Sequence, residues 1–303
     1  MNLKILITGI NGFIGRHLAS ALIAKNYSVV GLGRQRGCQV ASVAAYFCGD
    51  VLDKHVVEEA AEGVDVIVHL AALTAHKDIV GNKFLALETN FLSTKNVLDV
   101  FLRSSSARKF IYSSTGKVYG NIKALPITEV HPTLPLNILG KSKLITERLI
   151  DFYADAPEAK SLIVLRIFNV YGPLQNDNFL VPTILNQARK SSVIYLGDIK
   201  AKRDYTHIDD VVKAFVLAME KDTASGLSVY NVCSGKAASA EEIVSIVGKI
   251  KGSHISIKSN PAMIRRDEKD EEYGSYEKAM KELGWEPKIS LEKGLEKTMK
   301  HVK

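Results

Sequence analysis

The sequence has few of the residues that mark secreted, metal-binding or membrane proteins. Its three cysteines, Cys38, Cys48 and Cys233, are widely separated among 303 residues. That spacing fits neither a disulfide framework nor a metal site. No apolar run is long enough to span a bilayer, and no signal peptide precedes the first predicted strand. We therefore expect a protein of a reducing compartment, the cytoplasm by default, with no bound metal and no membrane contact.

Basic clusters are lacking as well. The 40 Lys and Arg residues exceed the 33 Asp and Glu residues and give a net charge of +7. They are dispersed, however, and form no basic run with interleaved aromatic residues. We expect no nucleic-acid partner, and we interpret the charge as a solvated surface with sites for small anions. The chain length suits one large α/β unit or two unequal lobes.

The most informative stretch that is present runs from Leu3 to Gly15. An apolar segment ends at Gly9, and Gly12 and Gly15 follow at three-residue steps before an apolar-periodic segment begins. This pattern predicts a buried strand, a tight turn and the start of a helix. Glycines let the backbone approach a ligand closely, and the N–H groups at a helix N-terminus attract an anion such as a pyrophosphate.

Predicted strands and helices alternate over the first half of the chain. This alternation predicts right-handed crossovers and a Rossmann-type, doubly wound parallel sheet, which is an α/β fold. The predicted strands after the first are 27–32, 44–48, 65–70, 109–113 and 161–168. The predicted helices are 13–25, a short one that ends near 62, 84–102 and 138–153. After Gly172 the elements are shorter, with helices at 179–189, 208–220, 240–250, 276–283 and 291–301 and strands at 193–196 and 228–233.

Several ordered motifs resemble the extended short-chain dehydrogenase/reductase family, in particular its nucleotide-sugar epimerases, dehydratases and reductases, and look most like the UDP-glucose 4-epimerases. The resemblance covers nearly the whole chain. The motifs are Thr8-Gly9-x-x-Gly12-Phe13-Ile14-Gly15, Gly49-Asp50, His69-Leu70-Ala71-Ala72, Asn90, Ser113-Ser114-Thr115-x-x-Val118-Tyr119-Gly120, Leu165-Arg166-x-Phe168-Asn169-Val170-Tyr171-Gly172-Pro173, Arg203-Asp204-Tyr205-x-His207-Ile208-Asp209-Asp210, Tyr230-Asn231-Val232 and Leu283-Gly284-Trp285-x-Pro287.

The resemblance implies two domains and a set of cofactor contacts. Residues 1–172 would form the NAD(P)-binding Rossmann domain, and residues 173–303 would form mainly a smaller substrate-binding α/β lobe, with parts of 205–235 free to return to the main sheet. The glycines would cradle the pyrophosphate, Asp50 would bind the adenine, and Ala71 and Ala72 would pass beneath the nicotinamide ribose. The full cofactor set is Gly9, Asn11, Gly12, Phe13, Ile14, Gly15, Arg34, Asp50, Val51, Leu70, Ala71, Ala72, Asn90 and Lys143.

The resemblance also implies a nucleotide-sugar substrate, a UDP-, dTDP- or GDP-hexose. Thr115 stands where the family places a hydroxyl that bonds the sugar, and it is a catalytic candidate. Asn169, Arg203 and Arg265 would hold the sugar nucleotide, the arginines as forked donors to the diphosphate. His69 and Trp285 are expected to be packing residues.

One departure from the family pattern concerns the cofactor. NAD-binding members usually carry an acidic residue at the end of the second strand, which accepts both ribose hydroxyls. Here that position is Gly33, followed by Arg34 and, two residues later, by Arg36. An arginine there is a charge-assisted partner for a 2′-phosphate. The expected cofactor is therefore NADP, with NAD as the alternative if Arg34 merely stacks on the adenine.

The second departure concerns catalysis. The family's catalytic pair is Tyr-x-x-x-Lys on one helix, where the lysine lowers the pKa of the tyrosine so that the phenolate acts as a base. Lys143 is present, but Leu139 occupies the tyrosine position and cannot move a proton. Three accounts stay open: another base (Tyr119, Thr115 or His76), a variant with crippled turnover, or a protein that binds ligands without catalysis.

The reaction class also stays open between two chemistries. Dehydratases carry an Asp-Glu pair where this chain has Gly116-Lys117, which argues against 4,6-dehydration. A 4-epimerase, acting by hydride transfer at sugar C4, is favoured by the regions around Arg203, Asn231 and Gly284-Trp285. An NADPH-dependent 4-keto-sugar-nucleotide reductase is the runner-up and is favoured by Gly33-Arg34.

Two predicted helices are apolar over a wide arc, which is typical of burial against another subunit. They are 84–102 and 138–153, and the second is predicted to expose Leu144, Ile145, Leu149, Ile150 and Phe152. The family commonly pairs these helices in a four-helix interface, so we expect a homodimer.

Overall fold

A computed structural model describes residues 3–74, 82–121, 124–156, 160–260 and 271–301. Its main element is a seven-stranded sheet in which all neighbouring strands are parallel. The strands are β1 (Lys4–Thr8), β2 (Ser28–Gly33), β3 (Ala45–Cys48), β4 (Val66–His69), β5 (Lys109–Thr115), β6 (Ser161–Ile167) and β10 (Gly226–Val232). Their order across the sheet is β10-β6-β5-β4-β1-β2-β3. The order reverses direction at β1, and ligands bind at such a switch point in doubly wound folds.

Helices cover both faces of this sheet, which confirms the predicted α/β doubly wound fold. The helices are α1 (Phe13–Ala24), α2 (Lys54–Ala60), α3 (Lys83–Arg103), α4 (Ile138–Ala154), α5 (Leu180–Lys190), α6 (Ile208–Glu220), α7 (Ala240–Lys251), α8 (Glu277–Leu283) and α9 (Leu291–Met299). Helices α1 and α6 share one core with the sheet, and α2, α3 and α4 share the other. The strands are continuously apolar because both faces are buried.

A smaller region is built around β9 (Lys202–His207). Its neighbours are β7 (Asn169–Tyr171), β11 (Ala237–Ser239) and β13 (Glu271–Glu272), and a separate pair joins β8 (Val193–Leu196) to β12 (Ser256–Ser259). Helices α5, α7 and α9 pack together in a core of their own. The strand pattern did not predict β7, β9 or β11 to β13, and the domain division at residue 172 stays a prediction.

Fewer apolar side chains of α4 are exposed than the sequence predicts. Ile145 and Phe152 are exposed, but Ile150 is fully buried in the core shared with α2 and α3. The expectation that Ile150 is exposed is wrong, because this side chain points at the sheet. Among the described residues, the helices lack the length and apolar content needed to cross a membrane.

Candidate cofactor and substrate site

The glycine turn between β1 and α1 has no room for side chains. A Cβ on Gly9 would lie 2.8 Å from the backbone nitrogen of Ala71, and a Cβ on Gly15 would lie 2.4 Å from the carbonyl oxygen of Gly9. Gly9 also has a φ of 71°. The N-cap of α1 is Gly12, which offers no side-chain acceptor, and the first turn of the helix has no acidic residue. The bare N–H groups at Phe13 onward therefore suit a pyrophosphate.

A buried histidine ties this turn to the end of β4. The Thr94 hydroxyl donates to the carbonyl of Asn90 at 2.8 Å, so it accepts from His69 Nε2 at 3.1 Å. The Thr8 hydroxyl donates to His69 Nδ1 at 2.7 Å and accepts from the Ala71 N–H at 3.3 Å. Burial lowers the pKa of His69 to about 3. His69 is thus a neutral positioning residue beneath Ala71.

The side-chain amide of Asn90 forms hydrogen bonds within the protein. Its Oδ1 accepts from the N–H of Leu73 at 2.7 Å, and its Nδ2 donates to the Leu73 carbonyl and to Ser142 Oγ, both at 3.2 Å. Asn90 therefore joins the segment after β4, which contains the half-buried Leu70 and Ala72, to the first turns of α4.

The adenine end of the site lies after β2 and β3. Gly33 ends β2, and Arg34 and Arg36 are both exposed just beyond it. Asp50 follows β3 and is half-buried, and its Oδ1 accepts the N–H of Leu52 at 3.0 Å. Val51 is buried beneath this turn.

The catalytic end lies where β5 meets α4. Lys143 is buried, and its Nζ donates to the carbonyl of Ser113 at 2.7 Å. Burial lowers the pKa of Lys143 to about 7. Leu139 lies one turn before Lys143 on the same helix and is half-buried. Asn137 caps α4 by accepting the N–H of Gly140 at 2.8 Å.

A buried polar network lies behind this end of the site. Arg166 Nη2 pairs with Glu147 Oε2 at 2.7 Å, and Glu147 also accepts from the Ser114 hydroxyl. Arg166 Nη1 donates to the Tyr119 hydroxyl at 2.9 Å, which itself donates to Asn231 Oδ1 at 2.7 Å. Burial raises the pKa of Tyr119. Both hydrogen-bonding directions of this hydroxyl are used inside the core, so Tyr119 is a structural residue and a poor candidate for the missing base.

Thr115 and Lys117 lie at the end of β5 and in the turn that follows it, beside the candidate substrate site. The Thr115 hydroxyl accepts from the N–H of Lys117 at 3.2 Å and starts a short 3₁₀ turn, Gly116–Tyr119. Lys117 Nζ lies 3.4 Å from Oε2 of Glu272, a buried carboxylate on β13. Sequence reasoning missed Glu272 because a two-residue strand carries no periodic signal.

Two of the remaining substrate candidates, Asn169 and Arg203, lie on β7 and β9, which are paired. Asn169 Nδ2 donates to the carbonyl of Asp204 at 2.9 Å, so this side chain is used to join β7 to β9. Arg203 is buried beside Glu272 in the register of β9 and β13, with Nη1 donating to the carbonyl of Lys202 at 2.8 Å. Arg265 and His76 lie outside the described residues.

Comparison with known proteins identifies the family of this chain. The family model for GDP-mannose 4,6 dehydratase matches residues 6–298. GDP-6-deoxy-D-mannose reductase of Pseudomonas aeruginosa is 28% identical over an alignment of 304 residues that covers 97% of this chain and 95% of that one.

Two solved structures have the same fold over almost their whole length. UDP-glucuronic acid 4-epimerase from Bacillus cereus, in complex with UDP-glucuronic acid and NAD, has a TM-score of 0.88, 28% identity, and covers 99% of this chain and 98% of that chain. The reductase RMD from Pseudomonas aeruginosa, complexed with NADPH, has a TM-score of 0.85, 28% identity, and the same two coverages. The structural neighbours thus bind NAD or NADPH. The glycine cradle, the strand order and these matches together show that this chain belongs to the GDP-mannose 4,6-dehydratase family of extended short-chain dehydrogenases/reductases, whose members include nucleotide-sugar epimerases and reductases.

Proposed function

We propose that the protein is an NADPH-dependent reductase of the 4-keto group of a nucleotide-linked hexose, with a UDP-, dTDP- or GDP-hexose as substrate class. The observation that carries the proposal is the end of β2. Gly33 leaves this strand end without a carboxylate, and the exposed Arg34 and Arg36 follow it. A guanidinium there forms charge-assisted hydrogen bonds with a 2′-phosphate, which a carboxylate would repel.

When bound, the dinucleotide supplies the reducing equivalent for C4 of the sugar. The chain's own residues bind and orient the ligands. Gly9, Gly12 and Gly15 hold the pyrophosphate against the N-terminus of α1. Lys143, which donates to the Ser113 carbonyl, would contact the nicotinamide ribose, and Thr115, whose hydroxyl oxygen accepts from Lys117, would direct its hydroxyl proton to the oxygen at C4.

A 4-epimerase is the second candidate, and the UDP-sugar epimerase among the structural neighbours favours it. Two of the residues that favour it in the sequence, Asn231 and Trp285, are buried core residues. The indole N–H of Trp285 donates to the carbonyl of Asp210 at 2.9 Å, and Asn231 Nδ2 donates to the carbonyl of Ile127 at 3.0 Å. These contacts support the common fold and do not separate the two reactions. We therefore rank the reductase first.

Because Leu139 cannot transfer a proton, we expect it to limit the rate of either reaction. A positioned acid/base contributes about 10²–10⁴-fold to the rate. With Leu139 in the tyrosine position, the proton for the C4 oxygen must come from another group, such as Thr115, His76, Lys143 or solvent, so we expect slow turnover. A protein that binds both ligands without catalysis is the third candidate.

The experiment that separates these candidates uses two reaction mixtures. In the first, the purified protein receives NADPH and a 4-keto-6-deoxyhexose linked to UDP, dTDP or GDP, and NADPH absorbance is followed. In the second, it receives UDP-glucose, UDP-galactose or UDP-glucuronic acid without a reductant, and the C4 epimers are separated by chromatography. Stoichiometric loss of NADPH supports the reductase, whereas epimers without net redox change support the epimerase. Binding of both ligands with neither product supports the third candidate.

We also propose that the protein is a cytoplasmic homodimer that pairs α3 and α4 with the same helices of a second copy. The two helices pack side by side and leave large apolar side chains outside, with Phe84 82% and Phe152 74% exposed. Leu85, Leu92 and Ile145 are also exposed on these two helices. Large exposed apolar patches mark interaction surfaces. Sedimentation should give a dimer for the wild type and a monomer for Phe152→Asp, and a monomeric wild type at micromolar concentration would refute the interface.

A further inference from the structure

We propose that Tyr46, acting with Asn11, is a positioning residue that determines the preference for the phosphorylated dinucleotide. The inference rests on the proposed NADPH specificity and concerns a residue outside the glycine turn and outside β2. Tyr46 lies on β3, where it is paired in register with Gly31 of β2. Its side chain runs beneath the end of β2, toward Gly33.

The Tyr46 hydroxyl fastens the start of the segment that follows β2. It donates to the carbonyl of Gln35 at 2.6 Å and lies 3.1 Å from the carbonyl of Gly33. It accepts from Asn11 Nδ2 at 3.3 Å. Burial raises the pKa of Tyr46, so the hydroxyl keeps its proton and stays a donor at neutral pH. The hydroxyl therefore lies between the two carbonyls that flank Arg34 and donates mainly to that of Gln35.

Asn11 fastens the other end of the same segment. Its Nδ2 also donates to the carbonyl of Gly37 at 2.9 Å, and its Oδ1 accepts the N–H of Gln39 at 2.8 Å. Asn11 belongs to the glycine turn, so the pyrophosphate cradle and the segment with the two arginines are joined by one side chain. Arg34 and Arg36 lie between the two fastened ends.

Fixing both ends matters because the arginines are exposed. An exposed arginine is flexible, and ordering it and its loop on binding costs free energy that weakens affinity. A segment that is already held by Tyr46 and Asn11 loses less freedom when a 2′-phosphate binds. The two residues thus support the phosphate site without contacting the phosphate.

Tyr46 also opposes the alternative, NAD-type arrangement. A Cβ on Gly33 would lie 3.2 Å from the Tyr46 hydroxyl oxygen, closer than ordinary van der Waals contact. An aspartate at position 33 would therefore displace the hydroxyl from the carbonyls that it holds. The structure couples the two positions: the glycine leaves room for the hydroxyl, and the hydroxyl disfavours the carboxylate that would bind unphosphorylated ribose.

The test measures binding of NADPH and of NADH, each by fluorescence titration, with no turnover involved. Tyr46→Phe keeps the ring and removes the hydroxyl. One hydrogen bond contributes about 0.5–1.5 kcal/mol, so the NADPH affinity should fall about fivefold while the NADH affinity changes less than about twofold. Asn11→Ala should lower the NADPH affinity by a similar factor and should also narrow the preference for NADPH over NADH. Tyr195→Phe, at an exposed tyrosine of β8, is the matched control and should change neither affinity.

The outcomes separate this inference from the cofactor proposal. A wild type that binds NADH as tightly as NADPH refutes the proposed cofactor, and the inference falls with it. A wild type that prefers NADPH, with the whole preference kept in Tyr46→Phe and in Asn11→Ala, refutes the inference alone. A second pair checks the coupling: Gly33→Asp/Tyr46→Phe should bind NADH at least about fivefold tighter than Gly33→Asp, and equal affinities would also overturn the inference.

Discussion

The cofactor end and the catalytic end of the site differ in what the chain supplies. At the cofactor end, Thr8, Asn11 and His69 are fully bonded to neighbouring groups, and the three glycines leave open the space that a pyrophosphate needs. At the candidate catalytic end, Lys143 is buried and donates to the Ser113 carbonyl, and we propose that Leu139 stands where its catalytic partner would be.

We infer from this difference that dinucleotide binding depends on many residues, whereas proton transfer depends on one. We propose that dinucleotide binding depends on backbone spacing at the glycines together with a network of positioning residues, so that the loss of one side-chain hydrogen bond weakens it only moderately. Proton transfer depends on one side chain with a pKa near the working pH. A chain can therefore keep the family's binding architecture after it has lost most of its rate.

The first prediction concerns the cofactor end and the pH dependence of the free energy of unfolding. His69 is neutral in the folded state with a pKa of about 3, against 6.5 when unfolded. Unfolding therefore takes up a proton below pH 6.5, and the free energy of unfolding should fall by about 5 kcal/mol as the pH drops toward 3. His69→Gln cannot be protonated and should show a flatter decline in denaturant titrations. His55→Gln, at a side chain that is 92% exposed, is the control, and equal slopes in wild type and His69→Gln would contradict the account.

The second probe breaks the buried network behind the catalytic end. Arg166→Met leaves the Glu147 carboxylate buried without its partner, and such losses cost about 3–5 kcal/mol. Denaturant unfolding measures the change. Arg166→Met/Glu147→Leu removes both charges and should recover at least half of the loss. If the single variant were as stable as the wild type, the ion pair would not support this end of the site.

The third probe closes the cofactor cradle. Gly15→Ala places a Cβ 2.4 Å from the carbonyl of Gly9, so the turn must shift and dinucleotide affinity should fall at least about 100-fold, or about 2.7 kcal/mol. Gly37→Ala is the matched control, because a Cβ there meets nothing within 4 Å. Isothermal titration with NADPH measures both variants. Unchanged binding in Gly15→Ala would mean that the ligand does not approach this turn.

The sequence alone predicts the sheet, the glycine cradle and most helices. Long apolar strands such as β6 and the turn at Gly9 to Gly15 carry strong local signals, because burial on both faces and close backbone approach leave little choice of residue. Short strands such as β13 follow from pairing with β9, which no local pattern encodes.

The roles of polar side chains were harder to predict than their positions. The family resemblance predicts that Asn90 binds the cofactor and Asn169 the substrate, whereas in the structure their amides bond to the protein backbone at Leu73 and Asp204. Tyr119 was a candidate base, and only the tertiary structure reveals that Arg166 and Asn231 occupy its hydroxyl. The sequence did not predict the role of Tyr46, because its hydroxyl bonds to two other segments of the chain, at Asn11 and at Gly33 to Gln35.

The most direct test of the central claim, that binding is intact and the base is missing, restores the base. Leu139→Tyr places a phenol one turn before Lys143, and the account predicts a gain in turnover of at least about tenfold with little change in NADPH affinity. Leu139→Phe is the control, since it adds the ring without the hydroxyl and should give no gain. No gain in Leu139→Tyr, together with a wild type that already turns over rapidly, would contradict the account.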